Sequence, residues 1–305
     1  MKLPSVTIKN LLEAGVHLGH KTFRWNPKMD KYIFGSKNSI HIIDLVQTLE
    51  MINSALHEIH KCISSGGRIL FVSTKKQAAG TIENLAKDTS QFYVNHRWLG
   101  GMLTNWKTIS NSIKRYKKLS QDLKKENTGF TKKELLKMGI QRDKLERSLG
   151  GIADMVKIPD MIFIIDTNVE ELAVKEALKL NIPIVAVVDT NSNPSGINYP
   201  IPGNDDARRA INLYCDLVKH TVLDAQKNIS KQDNVKEEAK TENNKKITSV
   251  KTSVKTEIKK NDKKKETKKV EKEEIKKKGD KIVKKISKSI ISKVTALASK
   301  AKKTK

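Results

Sequence analysis

The chain has 305 residues and carries a formal charge of +26 at neutral pH. This length allows one large domain with additions, or two domains. The basic balance favours a polyanionic partner, chiefly nucleic acid, although a lysine-rich proteome alone explains many of the lysines. The apolar runs are far too short to span a bilayer, so we expect a soluble, intracellular protein with no membrane partner.

Cysteine usage argues against a secreted protein and against a thiolate zinc site. Cys62 and Cys215 are the two cysteines, and no CxxC motif is present. Two isolated cysteines suit a reducing cytosol. The N-terminal residues lack the uninterrupted apolar stretch of a secretory signal, and the absence of a transit peptide favours a bacterial over an organellar origin.

The charge is unevenly distributed along the chain. Residues 226–305 contain 28 lysines and 11 acidic residues, whereas residues 1–225 contain 32 basic and 23 acidic residues. All aromatic residues precede position 215. Residues 226–305 therefore cannot build a packed core and are predicted to be a disordered, lysine-rich extension. The globular part, of about 225 residues, is long enough to bury a sizeable core.

Helical and strand patterns alternate in the first part of the chain. A short helix entering a loop is expected over residues 5–20. The elements predicted after it are a strand at Ile40–Ile43, a helix at Leu45–Ser64 ended by Gly66 and Gly67, a strand at Arg68–Ser73, a helix at Lys76–Ala86 and a strand at Phe92–Val94.

The alternation returns after residue 160. Strands are predicted at Met161–Ile165 and Ile184–Val188, with a helix at Val169–Leu180 between them that has Asn168 as its N-cap. A last helix opens at Asn204–Asp206 and runs to about residue 219. Strands that alternate with helices predict a parallel sheet covered on both faces. Two of these strands are followed directly by aspartates, which places acidic groups at the carboxyl edge, where such sheets bind ligands.

Residues 106–152 interrupt this alternation and are predicted to form an inserted antiparallel two-helix coiled coil. Apolar residues recur at steps of three and four on both sides of a turn at Asn127–Phe130. Thr131 and Glu134 fit a capping box that opens the second helix. The α/β globular domain is therefore expected to consist of residues 1–105 and 153–225.

An enzyme on the same fold, a nucleotide-binding α/β protein, is the alternative hypothesis. It requires glycines after a strand so that the backbone approaches the phosphates, but neither GxGxxG nor GxxxxGK[ST] occurs. No GxSxG or HExxH motif is present either. Ser73–Lys76 follows a strand and opens a predicted helix, so its amides suit an isolated phosphate of an RNA backbone better than a nucleotide.

Two clusters mix arginine, lysine, asparagine and tryptophan, around residues 21–29 and 95–107. Basic groups neutralise phosphates, and asparagine and histidine contact sugars and base edges. The predicted RNA-binding residues are Arg24, Trp25, Asn26, Lys28, Lys75, Lys76, His96, Arg97, Asn105, Lys107, Lys114 and Arg115. Trp98 and Trp106 fit either base stacking or a core or hinge role. We slightly favour the core or hinge role.

His17 and His20 are three residues apart, a spacing that can begin a metal site. No further histidine or cysteine follows at a standard distance. Asp189 and Asp205 supply oxygen ligands only if the fold brings them near His20. From the residues alone, histidines that cap loops or contact RNA are the better interpretation.

Eight ordered stretches together resemble the bacterial small-subunit ribosomal protein S2 family, whose universal name is uS2. They are Ala14–His20 (AGVHLGH), Trp25–Met29 (WNPKM), Tyr32–Gly35 (YIFG), His41–Asp44 (HIID), Asn95–Lys107 (NHRWLGGMLTNWK), Ser148–Gly151 (SLGG), Ile182–Asn193 (IPIVAVVDTNSN) and Ile201–Asp206 (IPGNDD). Each is weak alone, but NHRWLGGMLTNWK is long and unusual, and the ordered set is specific.

The resemblance implies a flavodoxin-like parallel sheet with an inserted coiled-coil hairpin and no catalytic activity. It implies a cytoplasmic component of the small ribosomal subunit that binds ribosomal RNA and contacts other small-subunit proteins. Among these is the messenger-RNA-binding ribosomal protein one (S1), which the family helps to anchor. The resemblance implies no small-molecule substrate and no required cofactor. It does imply a divalent metal, such as Zn²⁺, at His20, Asp189 and Asp205. The long lysine-rich extension departs from the family pattern.

Overall fold

A short helix and a small antiparallel sheet form the N-terminal part of the computed structural model, which describes residues 4–125 and 130–228. Helix α1 spans Ile8–Ala14. Strands β1 (Leu18–Lys21), β2 (Ile33–Lys37) and β3 (Ile40–Ile43) pair in the order β1-β3-β2. The sequence predicts only β3, because three of its four residues are isoleucine, whereas β1 and β2 each contain a glycine and end in polar residues.

The central sheet has five parallel strands in the order β5-β4-β6-β7-β8. They are β4 (Ile69–Val72), β5 (Phe92–Val94), β6 (Met161–Ile165), β7 (Ile184–Val188) and β8 (Tyr199–Pro202). Counted within this sheet, the order is 2-1-3-4-5, which is the flavodoxin-like arrangement. The predicted bounds of β5, β6 and β7 are confirmed, because continuous apolar runs of this length are typical of strands buried on both faces. The sequence does not predict strand β8, which contains two prolines.

Alternate side chains of these strands point into two separate cores. On one face, Phe71 and Phe163 pack against helix α2 (Leu45–Ser64), helix α3 (Ala79–Thr89) and the last helix, α7, which covers residues 208–228. On the other face, Val72 and Ile164 pack against helix α6 (Glu171–Lys179). The parallel sheet covered by helices is therefore confirmed.

The ends of α2 agree with the sequence prediction, whereas those of α6 and α7 differ from it. Helix α2 has its predicted bounds, with Asp44 as the N-cap that accepts from the Val46 amide at 2.9 Å. Asn168 is not the N-cap of α6. The carboxylate of Asp166 accepts from the amides of Asn168 and Val169 instead, and the helix begins two residues later. Helix α7 extends well beyond the predicted end near Lys219.

Two helices of the predicted insertion, α4 (Trp106–Asp122) and α5 (Lys132–Leu149), pack against each other. The capping box of Thr131 and Glu134 is present. Ile109, Ile113 and Leu149 are buried in the second core, so the hairpin is attached to the α6 face of the sheet. The supercoiled geometry of a coiled coil stays a prediction, and residues 126–129 of the connecting turn lie outside the described part.

The predicted extension also lies outside the described part from residue 229 onward. Within the described ranges, no helix combines the length and the hydropathy that crossing a bilayer requires.

Two glycines near the hairpin provide a matched test of this packing. A Cβ at Gly151 overlaps the backbone carbonyl oxygen of Tyr93, whereas a Cβ at Gly139 in α5 meets nothing within 4 Å. We expect Gly151→Ala to lower the free energy of unfolding by about 1–3 kcal/mol. Gly139→Ala is expected to raise it by about 0.5–1 kcal/mol, because alanine loses less backbone entropy in a helix. Urea unfolding of the two variants measures both, and equal effects would contradict the packing described.

Candidate nucleic-acid interface

Charged side chains from five segments meet at the carboxyl edge of the central sheet. Lys75 follows β4, Asp166 follows β6, and Asp205 and Asp206 follow β8. The Nζ atom of Lys75 lies 2.9 Å from Asp166, 2.8 Å from Asp205 and 2.7 Å from Asp206. The residues that follow parallel strands converge at one edge, which is why positions so far apart in the sequence share one ammonium group.

His20 of β1 joins this cluster from the small sheet. Its Nδ1 lies 2.9 Å from the Asp189 carboxylate, and its Nε2 lies 3.4 Å from Asp206. The Thr190 hydroxyl also accepts from the His20 amide at 2.9 Å. The hydrogen bond to Asp189 raises the pKa of His20 above its ordinary value, against the opposing effect of burial.

Lys75 is the central cation of the cluster. Burial opposes its charge, but the hydrogen bonds and charges of the surrounding aspartates raise its pKa well above the ordinary value. Asp205 is fully buried, and one of its carboxylate oxygens has no hydrogen-bond partner among the described residues. Burial, followed by the charges of Asp166 and Asp189, raises the pKa of Asp205 to about 7. One ammonium group and one imidazole therefore serve four carboxylates.

The loop after β4, which the sequence suggests as a phosphate-binding turn, is already engaged within the chain. The Thr74 amide donates to the Glu170 carboxylate at 2.6 Å. A carboxylate thus occupies the position at which a phosphate would accept this hydrogen bond. Burial raises the pKa of Glu170, and the hydrogen bonds from Thr74 oppose that rise. The Thr74 amide is therefore unavailable as a donor to the phosphate of a nucleotide.

The predicted metal ligands lie close together, but the geometry groups a different third residue. His20, Asp189 and Asp206 each offer one ligand atom, and these atoms lie within 4.8 Å of one another. One nitrogen and two carboxylate oxygens are a donor set that Zn²⁺ accepts. Asp205, the third residue expected from the resemblance, bonds to Lys75 instead. A metal at His20 stays a prediction, with Asp206 as the better-placed partner.

Asn95–Lys107, the signature segment, wraps around one buried carboxylate of α6. One oxygen of Glu176 accepts from the Trp98 indole at 3.1 Å and from the Gly101 amide at 2.7 Å. The other accepts from the Leu103 amide at 2.9 Å and from both the amide and the hydroxyl of Thr104 at 3.1 Å. Burial alone raises the pKa of Glu176, but these donors outweigh it and lower the pKa below the ordinary value.

This contact assigns Trp98 and Gly101 of the signature segment an architectural role. Trp98 is buried in the second core, and Gly101 has a left-handed backbone with a φ of 79°. That conformation costs other residues energy and turns the Gly101 amide toward Glu176. The core interpretation of Trp98 is thus confirmed, and a hinge role stays a prediction. Sequence reasoning missed Glu176, although an acidic residue beside Ala173 and Ala177, on the apolar face of α6, was a usable signal.

Most predicted RNA-binding residues lie on the surface. The exposed ones are Arg24, Trp25, Lys28, Lys76, His96, Arg97, Asn105, Lys107, Lys114 and Arg115. Asn26 is half-buried and its side chain accepts from the Lys28 amide, which organises the turn at residues 26–28. Lys75 is the exception, because its ammonium group is held by aspartates. For all twelve residues, RNA contact stays a prediction.

Two large aromatic side chains on and beside the small sheet are almost fully exposed. Phe34 of β2 is 80% exposed and Phe23 is 78% exposed, and Leu18 and Trp25 are also accessible. Exposed aromatic groups of this size are candidates for contact with another protein.

Comparison with known proteins decides the family. Residues 11–225 match the family model described as "Ribosomal protein S2". The chain belongs to the ribosomal protein S2 family. It is 57% identical over 224 residues to the small ribosomal subunit protein uS2 of Parvibaculum lavamentivorans. This alignment covers 73% of this chain and 88% of that protein. The uS2 proteins of Phenylobacterium zucineum and Sinorhizobium medicae are 59% and 58% identical over the same share of the chain, and 76% and 88% of those proteins are covered.

Membership of the S2 family confirms the resemblance that the ordered motifs carried. The match ends at residue 225, close to the end of α7. The lysine-rich residues beyond it are outside the matched region. The signature segment, the carboxyl-edge cluster and the small sheet all fall within it.

The raised pKa values predict a specific pH dependence of stability. An acid whose pKa is raised on folding binds its proton more tightly in the folded state, so stability increases as the pH falls through about 7. His20 acts in the same direction. We expect Asp205 alone to add about 1 kcal/mol to the free energy of unfolding between about pH 8 and about pH 6. Unfolding in metal-free buffer at several pH values measures this.

Two variants separate the cluster from the rest of the chain in that experiment. Asp205→Asn removes the titrating group, so the dependence should flatten. Asp30→Asn, which alters an exposed carboxyl outside the cluster, should leave the slope unchanged. A wild-type stability that rises steadily from pH 6 to pH 8 would contradict the expected direction.

Proposed function

We propose that this chain binds small-subunit ribosomal RNA through the exposed residues that flank the Glu176-bound loop and through the basic surface of α4. As a member of the S2 family, it is a structural constituent of the small ribosomal subunit and not an enzyme. The observation that carries the proposal is the division of roles within the signature segment. Residues 98–104 bind inward to Glu176, while His96, Arg97, Asn105 and Lys107 lie exposed on both sides of them.

The charge of α4 supports the same surface. This helix contains five basic residues and a single acidic one, Asp122. The basic residues, all exposed, are Lys107, Lys114, Arg115, Lys117 and Lys118. Exposed cations on a rigid helix neutralise phosphates with little ordering cost, although Lys117 also reaches Asp154 at 2.9 Å. The second cluster, at Arg24 and Lys28, adds cations beside the small sheet.

The carboxyl edge supports a scaffold rather than a catalyst. The ammonium group of Lys75 is held by aspartates, and the Thr74 amide of the phosphate-type loop is bonded to Glu170. Charges already paired within the chain leave no preorganised site for a transferring group. The enzyme hypothesis therefore has no geometric support among the described residues.

We propose further that the small sheet contacts a protein partner, and that this partner is the messenger-RNA-binding ribosomal protein S1. Phe23 and Phe34 are almost fully exposed although they are large apolar residues, and Phe34 lies on a strand of that sheet. Burial of such side chains is a common source of affinity in protein interfaces. The choice of S1 rests on what the family resemblance implies.

Sedimentation of a cell lysate is the direct test of the assembly. We expect the chain to co-migrate with small subunits on a density gradient. If the chain were found only at the top of the gradient, away from the small subunits, the proposal would be contradicted.

Binding to ribosomal RNA should weaken steeply with salt, because phosphate contacts release counterions. We expect Arg97→Gln and the pair Lys114→Gln with Arg115→Gln to weaken binding. The salt dependence should become shallower by about one counterion for each phosphate that is no longer neutralised. Lys61→Gln is the matched control, because Lys61 is an exposed cation paired with Glu58 on α2. Filter binding of purified protein to small-subunit RNA measures the affinities, and an affinity independent of salt would contradict the proposal.

Phe34→Ser should reduce the amount of S1 that co-sediments with small subunits, while the chain itself still assembles. The expected reduction is about tenfold or more in affinity, as is usual for an exposed aromatic residue that becomes central in an interface. Val156→Ser is the control, because Val156 is 91% exposed and lies outside the small sheet. Equal recovery of S1 with both variants would remove the small sheet as its docking surface.

A further inference from the structure

Glu176 saturates its carboxylate with donors from a single loop. The five hydrogen bonds, of 2.7–3.1 Å, all come from residues 98–104. Two oxygens with about four lone-pair sites are thereby fully used. The side chain is 9% exposed, so water replaces these bonds poorly. The carboxylate therefore fixes the path of a segment that has no helix or strand of its own.

This loop is the root of the helical hairpin. Thr104 is separated from the first residue of α4 by Asn105 alone. Met102 and Leu103 are buried with Ile109 and Leu149, so the loop and both hairpin helices share the second core. Helix α4 has 17 residues and is about 25 Å long. A change of about 10° at its root moves its far end by about 4 Å, which exceeds the tolerance of a hydrogen bond.

The groups proposed to contact RNA flank the same loop. His96 and Arg97 precede Trp98 directly, and Asn105 and Lys107 follow Thr104. Lys114 and Arg115 lie further along α4. His96 and Arg97 lie just after strand β5, whereas Asn105, Lys107, Lys114 and Arg115 reach that strand only through this loop. Loosening of residues 98–104 therefore changes the position of the second group relative to the first.

We propose that Glu176 is a positioning residue for ribosomal RNA binding. It does not contact RNA. It holds the loop at residues 98–104 in one conformation, so that the cations on both sides and along α4 are arranged before RNA binds. The inference rests on the RNA-binding function proposed above, and it names the buried carboxylate that holds the RNA-binding residues in place.

The direction in which RNA affinity changes when Glu176 is replaced distinguishes a positioning role from a purely electrostatic one. Glu176 is an anion, so its removal strengthens binding to a polyanion if charge alone matters. A positioning role requires the opposite. Without the anchor, the loop has to be ordered when RNA binds, and this costs about tenfold in affinity for each residue that becomes fixed.

The test uses Glu176→Gln in the full chain, with Glu171→Gln as the matched control. Both substitutions remove one negative charge from α6, but Glu171 is exposed and pairs with Lys175 on the same helix, at 2.5 Å. Glutamine keeps the shape of glutamate, yet its amide nitrogen faces donors that no longer find an acceptor. We expect Glu176→Gln to weaken RNA binding by about tenfold or more, and Glu171→Gln to leave it unchanged or slightly stronger.

Hydrogen exchange provides the readout that does not depend on RNA. The amides of Gly101, Leu103 and Thr104 should exchange faster in Glu176→Gln, while amides of β6 and β7 keep their wild-type protection. Faster exchange with unchanged or tighter RNA binding would overturn the positioning role. Unchanged exchange would overturn the anchor itself. If the wild-type chain binds no ribosomal RNA, the proposed function fails, and the exchange data still decide whether Glu176 holds the loop.

A milder variant covers the case in which Glu176→Gln does not fold. Trp98→Phe keeps the aromatic packing of the second core and removes only the indole donor to Glu176. We expect a smaller increase in exchange at Gly101 and a loss of RNA affinity between those of the wild type and of Glu176→Gln. Wild-type exchange and affinity in a folded Trp98→Phe protein would count against the proposal.

Discussion

The buried carboxylate of Glu176 is the interaction on which the exposed face of the molecule depends. A parallel sheet and its covering helices are stabilised by apolar contacts on both faces, but the loop that leaves the sheet toward α4 has no such ladder of its own. Backbone amides that are neither in a helix nor in a strand still need partners when they are buried. Glu176 supplies them, and the negative charge strengthens each bond in a site with little water.

At the carboxyl edge of the sheet, carboxylates also accept hydrogen bonds from groups of the same chain, but here they occupy positions where a ligand would bind. In a flavodoxin-like fold this edge is where ligands bind, because backbone amides and strand-end side chains converge there. Here the positions are filled from within the chain. Glu170 accepts the amide of Thr74, and Lys75 is shared by three aspartates. The fold is therefore used as a scaffold, with Lys75 and the Thr74 amide paired internally and the exposed cations located elsewhere on the surface.

Those displayed groups differ in kind between two parts of the surface. Helix α4 and the flanks of the signature segment carry basic residues, whereas the small sheet carries exposed aromatic residues beside the cations of Arg24 and Lys28. Basic residues suit phosphates, and large apolar residues suit a protein surface.

The sequence by itself determined four of the five strands of the central sheet, the bounds of α2 and of four strands (β3, β5, β6 and β7), the capping box of α5 and the family. These depend on local signals, such as continuous apolar runs, capping residues and ordered motifs. Only the tertiary structure decided the small sheet, the hydrogen bonds of Asp166 that replace Asn168 as a cap before α6, the pairing of Lys75 with three aspartates and the role of Glu176. Each of the last two joins residues far apart in the chain, for example Trp98 with Glu176, and no spacing rule connects them. A carboxylate in a helix is expected to be solvent-exposed until the fold shows which amides surround it.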